Sequence, residues 1–328
     1  MPPEKKAINI ANLSMTLRAI FIRFVLLTTL LAGQVQAQIF EANYNSGNGT
    51  GTIGEYDTSG GTINATLVSG LSVPNGMAVS GSELFVTNET TNTIGAYTTS
   101  GTTINSALIS GLQTPTQIAI VGPALFVTNF SGQSVGEYTT TGLTVNASLI
   151  TGIIDPTGIV VSGGNIFVES LSNNSIAEYT LSGTLVNASF ITGLAAPVSL
   201  AISGQDLFVV NNGTGTIGEY TTSGATVNTT LISGLSNPNS IAVSGGDIFV
   251  TDEGHGRISE YTLSGEPVNL ALISGLADPT GIAVVAPIPE PSTWVLVLLG
   301  STIALGFQRS VVGSRGGIGS KLKCKKNW

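Results

Sequence analysis

The sequence predicts an all-β protein, a six-bladed β-propeller of 41-residue, four-stranded repeats that is closed by pairing the N-terminal strands with the C-terminal strand. Three observations support this prediction. Tyrosine, proline and phenylalanine recur in phase at a spacing of 41 residues. Each repeat contains four short apolar runs separated by turn residues, and the repeats at the two ends are incomplete in complementary ways. The three series are Tyr56, Tyr97, Tyr138, Tyr179, Tyr220 and Tyr261; Pro74, Pro115, Pro156, Pro197, Pro238 and Pro279; and Phe85, Phe126, Phe167, Phe208 and Phe249.

One repeat shows the predicted strands clearly. Residues 125–128, 134–139, 144–150 and 159–161 are rich in β-branched and aromatic side chains, and Gly, Pro, Asn and Ser separate them. Such runs are typical of short strands, and no segment of the repeat region has a sustained helical period. Four strands in about 40–45 residues form one propeller blade.

The ends of the repeat region predict a closed ring. The region begins at Ile39-Phe40, on the strand that contains the phenylalanine. It ends at residues 282–285, on the Ile/Val strand that comes just before the phenylalanine strand in every complete repeat. Joining the two completes one blade, which removes the free sheet edges that a solenoid, the alternative at this period, would leave. We expect phenylalanine and Ile/Val side chains of neighbouring blades to form the core.

A small residue lies two positions before each tyrosine. It is glycine in four repeats, and we expect a side chain there to crowd the neighbouring sheet. The six residues are Gly54, Gly95, Gly136, Ala177, Gly218 and Ser259.

Two segments carry a resemblance to a known repeat family. Pro-x-Gly-Ile-Ala-Val and Leu-Phe-Val-Thr-Asn/Asp recur along residues 39–285, and residues 252–258 read Asp-Glu-Gly-His-Gly-Arg-Ile. The region resembles NHL-type propellers, although most repeats lack the arginine that the family often carries, here Arg257. The resemblance implies the same fold.

The N-terminal residues 1–37 resemble a secretory signal peptide. Arg18 and Arg23 precede the apolar residues 24–32, and Val35-Gln36-Ala37 offers small residues for cleavage by signal peptidase. Nine residues are too few to span a bilayer, which takes about 20. Met15 is an alternative start, and a buried helix is the alternative interpretation of the segment.

The C-terminal residues 287–328 contain a second address. Pro289-Glu290-Pro291 is followed by Trp294, the apolar residues 295–307 and Arg309. This order resembles the PEP-CTERM sorting signal of Gram-negative bacteria; an ordinary anchor is the alternative. The resemblance implies an exosortase as processing partner, transient contact with the inner membrane through a C-terminal transmembrane helix, and release to the cell surface or exterior of bacteria that often make exopolysaccharide. The basic tail 310–328 departs from the usual pattern.

Charge excludes one class of partner. Residues 39–286 contain a single basic residue, Arg257, against 17 of the 19 acidic residues of the chain. Such a surface repels phosphate backbones, so nucleic acid is not expected as a partner. The single cysteine, Cys324, excludes an internal disulfide framework and a cysteine-based zinc site.

A polar ring is the candidate binding face. Its side chains end the phenylalanine strands or begin the strands that follow the loops, so they meet at one mouth of the channel. Amides and carboxylates there could bind sugar hydroxyls or Ca²⁺; the alternative is that they bond to the backbone of their own turns. The candidates are Asn43, Asn88, Asn129, Asn211, Asp252, Asn75 and Asn239.

These observations favour an exported, non-enzymatic binding or scaffold protein of the bacterial surface or matrix, with exopolysaccharide or a surface protein as its partner. The alternative is a metal-dependent propeller lactonase or lyase. Resemblance to gluconolactonase-like proteins in residue type implies Glu169, Asn211 and Asp252 as candidate metal ligands. His255 lies between two glycines, which favours a solvated turn over a general base.

Overall fold

The computed structural model describes residues 37–45 and 49–285. Apart from Ala37, the predicted signal peptide and sorting signal lie outside the described residues, as does part of the loop around Gly47. No helix among the described residues is long and apolar enough to cross a membrane.

The described chain folds into 24 strands and two single turns of 3-10 helix, Asn212–Thr214 and Glu253–His255. The first half contains β1 (Gln38–Asn45), β2 (Thr50–Asp57), β3 (Thr62–Leu71), β4 (Pro74–Ser80), β5 (Glu83–Asn88), β6 (Thr93–Thr98), β7 (Thr103–Ser110), β8 (Pro115–Val121), β9 (Ala124–Asn129), β10 (Ser134–Thr139), β11 (Thr144–Thr151) and β12 (Pro156–Ser162). The second half contains β13 (Asn165–Ser170), β14 (Ser175–Thr180), β15 (Leu185–Thr192), β16 (Pro197–Ser203), β17 (Asp206–Asn211), β18 (Thr216–Thr221), β19 (Thr226–Ile232), β20 (Pro238–Ser244), β21 (Asp247–Asp252), β22 (Arg257–Thr262), β23 (Pro267–Ser274) and β24 (Pro279–Val285).

These strands form six four-stranded antiparallel sheets, which confirms the predicted propeller. Blade 1 is β24-β1-β2-β3, and blades 2 to 6 are β4–β7, β8–β11, β12–β15, β16–β19 and β20–β23. The first strand of each blade contacts its counterparts in both neighbouring blades, so six inner strands surround a channel. The inner strands begin, and the second strands end, on the same side of the ring, which we term the upper face.

Blade 1 closes the ring as predicted. Strand β1 lies between β2 and β24, and Gln38 pairs with Val285, Ile39 with Val284 and Phe40 with Ala283. A hydrogen bond from the Asp278 amide to Asn43 Oδ1 joins residues 235 positions apart. The two ends of the described chain are therefore held in one sheet.

The core lies between the blades, in six apolar clusters. Alternate residues of a strand face opposite sides of a sheet, so Phe40 packs toward blade 2 while Ile39 packs toward blade 6. The repeat phenylalanines are all buried, which confirms the predicted core. Burial of apolar surface stabilises the folded state by about 25 cal/mol per Å². A channel cavity of about 290 Å³ is lined by Met77, Ile118, Ile159, Leu200, Ile241 and Ile282.

The glycine two positions before the tyrosine, present in four repeats, is required for a different reason than expected. A Cβ at Gly136 would lie 2.7 Å from the Tyr138 hydroxyl, so the crowded group is the ring of the same strand and not the neighbouring sheet. Each such tyrosine folds back over its glycine.

The outer strand of each blade is an unpaired edge that is interrupted by a register shift. An asparagine in each outer strand accepts a hydrogen bond from the backbone N–H two residues later, as Asn64 Oδ1 does from Thr66 at 3.1 Å. Such bulges prevent edges from pairing with other chains.

Candidate functional site

The predicted polar ring lies on the upper face, and most of its side chains accept hydrogen bonds from backbone N–H groups of the loops. The carboxamide of Asn129 accepts a hydrogen bond from the Gln113 amide, in the loop that enters the inner strand of the same blade. The equivalent bonds are Ser72 N to Asn88 (3.2 Å), Gln113 N to Asn129 (3.1 Å), Ala195 N to Asn211 (3.0 Å), Ser236 N to Asp252 (2.7 Å) and Asp278 N to Asn43 (3.1 Å). In blade 4, Ser170 instead donates to the Ile154 carbonyl at 2.5 Å. These hydrogen bonds tie the upper loops to the ends of the second strands, and each such bond contributes about 0.5–1.5 kcal/mol.

Threonines at the start of the inner strands connect neighbouring blades. Thr116, Thr157 and Thr280 each donate to the carbonyl of the proline that begins the next blade, at 3.2, 3.0 and 2.7 Å. These hydroxyls are used within the ring and define the wall of the channel mouth.

Asn75 and Asn239 depart from this pattern. At equivalent places in blades 2 and 6, Asn75 Nδ2 donates to Glu89 Oε1 and Asn239 Nδ2 donates to Glu253 Oε2, both at 2.5 Å. All four side chains are partly exposed. Burial raises the pKa of Glu89 and of Glu253, and the charge of Asp278 raises the pKa of Glu253 further. Sequence reasoning named both asparagines but assigned no role to either glutamate, although each follows its asparagine by 14 residues.

Asp252 lies at the centre of the other cluster on this face. Its fully buried carboxylate accepts hydrogen bonds from Arg257 Nε at 3.0 Å and from the Ser236 amide, and its Oδ2 lies 2.8 Å from His255 Nδ1. Arg257 Nη2 also lies 2.9 Å from Oδ2. The His255 side chain is 45% exposed in its predicted turn, so Asp252 anchors one edge of the imidazole ring while the rest of the side chain reaches solvent.

The three candidate metal ligands lie in three different blades, and they are not grouped with one another. Glu169 Oε2 accepts from the Gly158 amide at 3.0 Å and from Thr157 at 3.3 Å, whereas Asn211 and Asp252 hold the loops of their own blades. Throughout residues 37–45 and 49–285, no three His, Cys, Asp or Glu side chains are grouped to bind a metal ion. Burial raises the pKa of Glu169 to about 8.

A second buried carboxyl group was missed by sequence reasoning. Glu41 has no exposed surface, and neither of its side-chain oxygens has a hydrogen-bond partner among the described residues. Burial raises its pKa to about 8. Burial of Tyr56, and after it the charge of Glu41, raise the pKa of that tyrosine to about 12. The available signal was the repeat itself, because the equivalent residue is valine in the other five blades: Val86, Val127, Val168, Val209 and Val250.

The fold and this face define a closed propeller with a polar upper mouth over an apolar channel. The Virginiamycin B lyase family matches residues 42–302, and the chain belongs to that family. The family and the fold agree with the resemblance to NHL-type repeats. A comparison with curated proteins gave no significant match.

Solved structures show the same fold. A chain of a nidogen/laminin complex is 19% identical, with a TM-score of 0.65 and coverage of 77% of this chain and 100% of that one. A catalytically inactive histidine-to-alanine variant of virginiamycin B lyase from Staphylococcus aureus, solved with quinupristin, is 21% identical, with a TM-score of 0.55 over 78% and 93%. A streptogramin B lyase is also 21% identical, with a TM-score of 0.56 over 76% and 87%.

Proposed function

We propose that this protein is an exported, non-enzymatic binding protein whose upper face takes a neutral, hydroxyl-rich ligand such as an exopolysaccharide. The two Asn–Glu pairs of blades 2 and 6 carry the proposal, because most other polar side chains of the mouth bond to backbone. Each pair places a carboxylate acceptor beside an amide donor, the combination that neighbouring sugar hydroxyls require. The acidic body disfavours a polyanionic ligand.

A glycan array probed with the exported protein tests this proposal. Neutral glycans should bind, and the double change Asn75→Ala with Asn239→Ala should weaken binding at least tenfold because both donors are lost. Gln205→Ala, an exposed change on the opposite side of the ring, is the matched control and should bind as the unmodified protein does. Binding that the double variant retains, or binding of acidic glycans alone, would contradict the proposal.

A lyase is the second candidate function, favoured by the family and by the contact between His255 and Asp252. Asp252 holds Nδ1 of His255, which leaves Nε2 facing solvent as a base. Incubation with quinupristin, followed by chromatography, tests this candidate. Turnover that disappears in His255→Ala would establish the lyase and overturn the non-enzymatic proposal.

Export and sorting form the remaining part of the proposal. We expect signal peptidase to cut after Ala37 and an exosortase to cut near Pro289-Glu290-Pro291 after a temporary hold in the inner membrane. Intact-mass analysis of the protein from its own host should give a form that begins at Gln38 and ends near Pro291. A mature form that retains Trp328, or a cytoplasmic form that begins at Met1 or Met15, would contradict this processing.

A further inference from the structure

A cleft lies between the outer parts of blades 3 and 4. Its volume is about 450 Å³, within the range of small-molecule sites. Residues 149–153, at the end of β11 and in the loop that follows it, form one wall, and Tyr179 and Leu185 of blade 4 contribute to the other. The equivalent cleft between blades 6 and 1 measures about 370 Å³, so the feature belongs to the repeat and is enlarged here.

Ala177 is the first departure of blade 4 from the repeat, and it lines the cleft. In blade 3, the Tyr138 ring covers Gly136 and is buried, because glycine has no Cβ to meet it. Ala177 places a methyl group at this position in blade 4. Of the six repeat tyrosines in the described strands, only Tyr179 is not buried. In blade 6, Ser259 occupies this position and Tyr261 remains buried. The serine hydroxyl donates a hydrogen bond to the Leu270 carbonyl at 2.9 Å.

Ser170 is the second departure of blade 4 from the repeat, and it lines the same cleft. The other five blades have asparagine or aspartate at this position, so serine leaves space where a longer side chain would lie. Two departures from the repeat therefore line one cavity, which favours a binding role over an accident of packing.

The lining defines the ligand chemistry. Tyr179 is a partly exposed aromatic residue, and Ser170, Asn173 and Ser175 offer hydroxyl and amide groups. None of the described residues that line the cleft is charged. An amphipathic, uncharged ring matches this combination, with its apolar face on the aromatic ring and its edge on the polar groups.

We propose that the cleft between blades 3 and 4 binds one or two units of a neutral saccharide, stacked on Tyr179 and held by Ser170, Asn173 and Ser175. This site is separate from the Asn–Glu pairs of the upper face. It does not depend on whether those pairs bind a ligand.

Saturation-transfer NMR and calorimetry with maltose, cellobiose and diacetylchitobiose test the site. At least one disaccharide should bind. Ala177→Gly should weaken that binding at least tenfold although it removes only one methyl group and no polar group from the lining, because Tyr179 can then fold over the glycine as Tyr138 does. Ser170→Asn should weaken it through filling of the cleft. Ser259→Gly is the matched control in blade 6 and should leave binding unchanged.

The outcomes separate the two proposed sites. Disaccharide binding that survives Ala177→Gly but disappears with Asn239→Ala would place the sugar on the upper face and overturn the cleft proposal. Absence of binding by all three disaccharides would also overturn it, as would binding of an apolar peptide in their place. Melting temperatures at or above that of the unmodified protein would show that both cleft variants are folded.

Discussion

Replacement of Glu41 by valine is expected to raise the melting temperature at pH 8 by about 10 °C, and by much less at pH 5. The carboxyl group lies in an apolar position between blades 6 and 1, where its oxygens have no partner among the described residues. Burial raises its pKa from 4.5 to about 8. Valine removes the buried polar group and restores the residue that the other five blades have.

The pH dependence follows from the direction of the shift. A carboxyl group with a raised pKa binds its proton more tightly in the folded state, so the stability it permits is complete below pH 4.5 and is lost as the pH rises to about 8. Within that window, the loss approaches about 1.4 kcal/mol per pH unit for each such group. Glu169 adds a second group of the same kind, with a pKa that burial also raises to about 8.

Thermal unfolding from pH 4.5 to pH 9 measures this effect. Glu41→Val should flatten part of the profile, and the addition of Glu169→Thr, which installs the residue found in blades 2, 3 and 6, should flatten most of the remainder. Glu266→Gln, at an exposed glutamate, is the control and should follow the unmodified protein. An unmodified protein that is equally stable at pH 5 and pH 8 would show that neither carboxyl group titrates as described.

Deletion of residues 39–45 should unfold the whole propeller and not only its first strand. The deletion removes β1 from the centre of blade 1 and leaves β2 and β24 as free edges. It also removes Phe40 and Ile39 from two interblade clusters, and burial of each such side chain is worth about 1.5–3 kcal/mol. Circular dichroism should therefore show loss of sheet structure or a single transition at a much lower temperature.

A circular permutant separates closure from chain order. Gln38 and Val285 are paired neighbours, so a short linker can join them, and new ends can be placed between Gly81 and Ser82 in an exposed turn. Blade 2 then takes one strand from one end of the chain and three from the other, as blade 1 does in the natural order. This permutant should fold. A permutant that fails, together with a deletion variant that folds, would contradict closure as the source of stability.

The repeat made most of the fold predictable. The spacing of tyrosine, proline and phenylalanine located every blade, and the phase of the two ends predicted the pairing of β1 with β24. These features depend on local strand propensity and on alternation between sheet faces, both of which one sequence displays. The reason for Gly136 and its equivalents was wrong in detail, because only coordinates show that the tyrosine ring folds back within its own strand.

The site was less accessible to sequence reasoning. The position of Asn129 predicts a polar side chain at the mouth, but whether its amide meets a ligand or a loop depends on a backbone group 16 residues earlier. The carboxyl groups Glu89 and Glu253 pair with Asn75 and Asn239 across a blade, and nothing in the spacing assigns those partners. Glu41 could have been found from the sequence, because a position-by-position comparison of the repeats shows valine at the equivalent position in the other five blades.

The closing strand also sets a time order for the molecule. Blades 2 to 6 are each built from consecutive strands, so each can pair its strands and pack against the blade before it as soon as its own residues have been synthesised. Blade 1 cannot, because β1 must wait for β24, and more than 200 residues separate the two in the chain, as the 235-residue span from Asn43 to Asp278 shows. During that interval β1 lacks one of its two neighbours, and the polypeptide remains an open arc until its last strand arrives. Any chaperone or translocation machinery that handles the nascent chain before that point therefore meets an open ring. Pairing of β24 with β1 closes the ring.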